Sequence, residues 1–65
     1  MKEYQQRVVQ EKKELDEKRE KLREFTRSPM FDALSSQECH RLWRQLQLMG
    51  DYSNVLGERI ENFDE

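Results

Sequence analysis

The chain is 65 residues long, 34% hydrophobic and 40% charged, with a formal net charge of −2, one cysteine, one histidine and one proline. A lone Cys39 excludes an internal disulfide, Cys39 with His40 falls short of the ~4 ligands of a structural zinc site, and no apolar run approaches the ~20 residues of a membrane span. Scaffolds below ~70–80 residues usually need a staple, so oligomerisation is the staple that remains.

Glu, Lys, Arg, Gln and Leu, all good helix formers, dominate the chain on both sides of Pro29. The first segment predicts a helix over about 2–27. Positions 1, 4, 8, 11, 15, 18, 22 and 25 alternate steps of three and four and read Met1, Tyr4, Val8, Glu11, Leu15, Lys18, Leu22, Phe25. That is a heptad seam, with Glu11 and Lys18 as its charged exceptions. Ser28 before Pro29 suits a new helix start, which predicts a short turn or helix over about 29–34. Ser35 with Glu38 three residues on reads as a capping box opening a helix over about 36–63. Its seam, Cys39, Leu42, Leu46, Met49, Ser53, Leu56, Ile60 and Phe63, is better filled than the first.

The expected fold is all-α: an antiparallel two-helix hairpin with a short connecting helix, one domain over 1–65, assembling into a helical homo-oligomer. Each arm spans ~35–40 Å at ~1.5 Å per residue. Val9, Met30, Phe31, Trp43, Leu48 and Val55 lie off the seams and call for cover by another chain. Trp43, Gly50 and Gly57 sit seven apart on one stripe. Two helix-interior glycines, each costing ~1 kcal/mol, fit either a close approach by a neighbouring helix or ligand, or tolerated surface positions.

Chemistry is sparse. The chain has no Gly-rich phosphate loop, no nucleophile elbow and no metal motif. Cys39 and His40 are sequence neighbours whose side chains diverge by ~100° on a helix, so Cys39 reads as a small core residue. No enzyme, metal or cofactor is expected. Net charge argues against a nucleic-acid coat. Arg19, Arg23 and Arg27 form a basic stripe, but Glu20 and Glu24 flank it and give it the look of a solvated surface. Residues 1–27 carry nine Lys/Arg against seven Asp/Glu, and residues 28–65 three against seven. Lys18 has two readings: part of an ion network with Glu14 and Glu11, or a cation facing a phosphate in an intersubunit pocket. Tyr4 and Arg7 likewise read as seam filler and surface charge, or as a stacking surface with a positive fork.

The runs Tyr4-Gln5-Gln6-Arg7-Val8-Val9, Glu11-Lys12-Lys13-Glu14-Leu15-Asp16-Glu17-Lys18, Lys21-Leu22 and Phe25 resemble one helical-hairpin domain of phage proteins. Phe31, Leu34, Glu38, Leu42, Gln45 and Met49-x-x-Tyr52-x-x-Val55-Leu56-Gly57-Glu58-Arg59-Ile60 extend that likeness over nearly the whole chain. It is similar to the anti-CBASS cyclic-oligonucleotide sponge, whose hairpin is shared with the Thoeris anti-defence sponge. The resemblance implies a non-enzymatic homohexamer that binds cyclic dinucleotides such as cyclic GMP–AMP, and cyclic trinucleotides in a second pocket, both between subunits. It implies a phage protein acting in the infected bacterial host; the single thiol suits a reducing cytoplasm, and composition and charge predict no membrane, DNA or RNA partner. Residue by residue, it points to Tyr4 for base stacking, to Lys18 for phosphate and to Arg59 for the trinucleotide, and Arg7 joins Tyr4 as a ligand-binding candidate on its own chemistry. Glu20 departs from the family pattern, which carries a small hydroxyl residue there, and a carboxylate repels phosphate. An adaptor hairpin that oligomerises, or docks a partner through Met30, Phe31 and Trp43, is the competing class.

Overall fold

The computed structural model describes residues 1–64, and these form three helices: α1 (Glu3–Phe25), α2 (Pro29–Asp32) and α3 (Ser36–Glu61). Each long helix stops about two residues short of its expected C-terminal limit. At the end of α1 the hydroxyl of Thr26 donates to the Arg23 carbonyl at 2.6 Å. At the end of α3 the Asn62 side chain donates to the Glu58 carbonyl at 2.7 Å. Both satisfy carbonyls that a longer helix would have bonded internally.

The helix starts follow the sequence signals in part. Ser28 Oγ accepts from the Phe31 N–H, with Pro29 at the first helical position. Ser35 Oγ accepts from the Glu38 N–H at 3.1 Å, but the reciprocal half of the capping box does not form. Glu38 instead accepts from Arg41 at 3.1 Å. At the start of α1, Gln5 Oε1 accepts from the Lys2 N–H at 2.8 Å and is wholly buried, a cap the heptad pattern had passed over.

α1 and α3 lie side by side in opposite directions and make a rod of 49 × 14 × 13 Å. A rod this thin has one layer of contacts, so few residues are removed from water: Val8, Phe31 and Leu56 are the buried apolar side chains. At the closed end α2 wedges Phe31 between Phe25 and Trp43, both edge-on, with ring centroids 6.2 and 5.7 Å away. Phe31 is therefore covered within the chain, contrary to expectation. Met30, Trp43, Leu48 and Val55 remain at least half exposed.

The α3 seam is the expected one. The α1 seam is turned relative to expectation: it runs through Gln5, Val8, Lys12, Leu15, Arg19 and Leu22, while Met1, Tyr4, Glu11 and Lys18 are exposed. The apolar members Val8, Leu15 and Leu22 belong to both patterns, so periodicity alone does not separate them. Space on α3 does. A Cβ on Gly50 would lie 3.1 Å from Arg19 Nη2, and one on Gly57 would lie 3.4 Å from Lys12 Cε. Gly50 thus leaves room for the guanidinium of Arg19, and Gly57 lies against the stem of Lys12. Close approach is the outcome at the buried Gly50, where the neighbour is Arg19 of α1, whereas the half-buried Gly57 has room for a Cβ at ordinary contact distance.

Candidate ligand-binding site

Tyr4, Glu11 and Lys18 are seven apart and share one exposed flank of α1. Tyr4 is half exposed and meets Phe63 edge-on, with ring centroids 6.0 Å apart at 75°. That contact fixes the ring and leaves π surface free for a base. Arg7 donates to Glu3 Oε1 at 2.6 Å, with both side chains mostly in water. Such exposed pairs contribute ~0–1 kcal/mol, so a phosphate could exchange for the carboxylate at little cost. Arg59 is exposed in the last turn of α3. Because Tyr4 touches Phe63, the open end of the hairpin gathers Tyr4, Arg7 and Arg59.

Lys18 is not among them. It stands fourteen residues from Tyr4, about 21 Å along the helix at ~1.5 Å per residue. It is exposed, so desolvation within the hairpin is not its situation. The structure offers one chain's Tyr4 and Lys18 as two separate stations on the same flank of α1. Glu20 is exposed two residues beyond Lys18.

The charge inside the seam belongs to other residues. Lys12 Nζ donates to Asp16 Oδ2 at 2.8 Å and to Ser53 Oγ at 3.2 Å, and Ser53 Oγ donates to Asp16 Oδ1 at 2.5 Å. Donation from Lys12, then from Ser53, holds the Asp16 carboxyl below the ordinary carboxylate range, and the charges of Lys12 and Arg19 act the same way. Arg19 leaves the expected basic stripe to lie over Gly50, where its Nε is buried without an acceptor. A signal for this was present in the sequence. Lys12 and Arg19 are seven apart, as are Gly50 and Gly57, and Ser53 falls between the glycines.

Two grooves flank the seam. One, of about 500 Å³, has Val9 and Ile60 in its floor and Lys13, Glu17 and Glu20 on its rim. The other, of about 240 Å³, brings Trp43, Gln47, Asp51 and Asn54 beside Arg19 and Gly50. Cys39 donates its thiol to the Phe31 carbonyl at 3.6 Å and is half-buried, as a small core residue would be. Among the described residues no cluster of three metal-binding side chains exists, and no helix is long and apolar enough to cross a membrane.

A thin all-helical hairpin with aromatic and cationic side chains displayed on its outer flanks defines the structural class: a small helical-hairpin protein. Residues 2–62 match the family model named Sequestin, and the chain belongs to that family, the phage anti-CBASS and anti-Thoeris cyclic-nucleotide sponges. This bears out the resemblance drawn from the paired helix motifs. The family name points to sequestering of signalling molecules rather than to catalysis. No curated protein matches the chain, and no solved structure does.

Proposed function

We propose that the chain is a phage sponge that binds cyclic dinucleotide second messengers between copies of itself and withholds them from CBASS-type effectors, without catalysis. Membership of the Sequestin family over residues 2–62 is the observation that carries this reading. The physical arrangement supports it. A cyclic dinucleotide carries two negative charges, and one Lys18 from each of two copies neutralises them symmetrically. The ~21 Å between Tyr4 and Lys18 in one chain favours a site shared by subunits, in which Tyr4 stacks a base and Arg7 and Lys18 meet phosphates. Arg59 is the cation for a cyclic trinucleotide, and Glu20 weighs against that second ligand. The assembly is a homohexamer in the cytoplasm of the infected host. The exposed Met30, Trp43, Leu48 and Val55 supply apolar surface for it.

A thermal-shift panel of cyclic di- and trinucleotides, run beside a mass measurement in solution, tests the reading. The expected result is an oligomer whose melting temperature rises with cyclic GMP–AMP. Calorimetry on Lys18→Ala should show dinucleotide binding weaker by about 1.5–3 kcal/mol, the scale of a charge-assisted hydrogen bond, with assembly intact. Equal affinities would remove Lys18 from the site. A panel with no response returns the chain to the adaptor class, which the exposed Met30 and Trp43 at the closed end favour.

A further inference from the structure

The flank of α1 opposite the Tyr4–Lys18 stripe holds the groove floored by Val9 and Ile60. On α3, Arg41, Arg44 and Leu48 line a second shallow groove, and Tyr52 continues their stripe one turn on. Val9, Leu48 and Tyr52 are all exposed, Leu48 by 57%. Glu17, Glu20 and Arg44 have no ion-pair partner among the described residues, while Arg41 holds Glu38 at 3.1 Å. One surface thus combines uncovered apolar atoms with unpaired acids, and another combines them with arginine.

The two stripes also share a spacing. Val9, Lys13, Glu17 and Glu20 follow steps of four, four and three. Tyr52, Leu48, Arg44 and Arg41, read towards the N-terminus, follow the same steps. Laid antiparallel, they align Val9 with Tyr52, Glu17 with Arg44 and Glu20 with Arg41 over ~16 Å of helix. Lys13 falls opposite Leu48, where its stem covers the leucine and its ammonium reaches water. The parallel alignment sets Lys13 against Arg44 and Val9 against Arg41, so charge selects the antiparallel one.

We infer that a second copy of this chain seats the Arg41–Tyr52 stripe of its α3 along the Val9–Glu20 stripe of α1. The inference rests on the self-assembly reading above. The contact joins two different surfaces, so it propagates from copy to copy and either closes a ring or grows a chain. It uses the flank of α1 that the Tyr4–Lys18 stripe leaves free.

Reversed charges test it. Wild type, Glu17→Arg, Arg44→Glu and the double variant carrying both are compared by light-scattering mass over a dilution series, with circular dichroism as the check on helicity. Each single variant sets like charges against each other and should raise the dissociation constant at least about tenfold. The double variant re-forms an opposite pair and should recover most of that loss. An oligomer indifferent to the single reversals, or a double variant no better than the worse single, overturns this contact and leaves self-assembly standing. A wild type that stays at the 8.0 kDa of one chain overturns both. If a single variant loses helicity, recovery in the double variant still decides the matter, because an unfolding effect of two separate substitutions would add rather than cancel.

Discussion

Ser53→Ala sets two effects of opposite sign against each other. Ser53 is 4% exposed, and its hydroxyl donates to Asp16 and accepts from Lys12. Hydrogen bonds to charged groups contribute ~1.5–3 kcal/mol when well shielded. Here Lys12 and Asp16 keep 32% and 42% of their side-chain surface in water, so water replaces part of the loss and about 1–2 kcal/mol remains for the two bonds together. Alanine returns ~0.5 kcal/mol of helix propensity relative to serine. The expected net change is a destabilisation of about 1 kcal/mol, or a fall in Tm of roughly 4–8 °C for a domain this small. Urea and thermal unfolding followed by circular dichroism at a fixed chain concentration measure it, since any assembly makes Tm concentration-dependent. A rise in stability of the size of the propensity difference would refute the reasoning, because it would mean that the Lys12–Asp16–Ser53 cluster contributes nothing to joining the helices.

The same cluster makes stability fall in acid. The folded-state pKa of Asp16 lies below its ordinary value of about 3.9. Its contribution is therefore complete above that value and disappears as pH drops through the depressed folded-state value; the stability difference between wild type and Asp16→Asn should shrink from pH 6 to pH 2.5 in urea titrations. Gly50→Ala should stabilise by up to ~1 kcal/mol, because the atoms that a Cβ meets are the mobile end of Arg19, whereas Gly50→Leu displaces the guanidinium and should destabilise; chemical denaturation separates the two signs. Phe31→Ala empties the wedge between Phe25 and Trp43 and should cost about 3 kcal/mol, a loss visible as a collapse of the thermal transition and a change in Trp43 fluorescence.

Most of the fold was legible because heptad spacing and caps are local. Ser28-Pro29 and Ser35 mark their helices from neighbouring residues alone, and the α3 seam is apolar enough to have one solution. The α1 seam has two near-solutions sharing Val8, Leu15 and Leu22. Choosing by hydrophobicity favours Met1 and Tyr4; the folded chain keeps Phe25 against Phe31 but otherwise chooses Gln5, Lys12 and Arg19. Glycines across the interface accept long polar side chains, and aromatics at the edge can pair with each other, as Tyr4 and Phe63 do. That is pairwise information between residues 31 to 59 apart in sequence, which periodicity within one helix does not contain. The candidate site was legible only as residue types. Tyr4, Arg7 and Arg59 lie towards one end because the helices run antiparallel, and Lys18 stands apart because a helix is rigid.

The hairpin is tethered unequally. At one end, α2 and three edge-on rings join the helices covalently and by burial; at the other, only the tips beyond the buried Gln5, Val8 and Leu56 rest on the single Tyr4–Phe63 ring contact. Amide hydrogen exchange should therefore quicken from the Phe31 end towards the Tyr4 end, following the local cost of fraying. Tyr4, Arg7 and Arg59 all stand on the fraying tip. A ligand gripped there would have to order the last turns of both helices as it bound, giving up affinity to that ordering and raising the melting temperature through it. The slow-exchanging region would then extend down the rod by whole turns, a signature that a ligand resting on an already rigid surface would not leave.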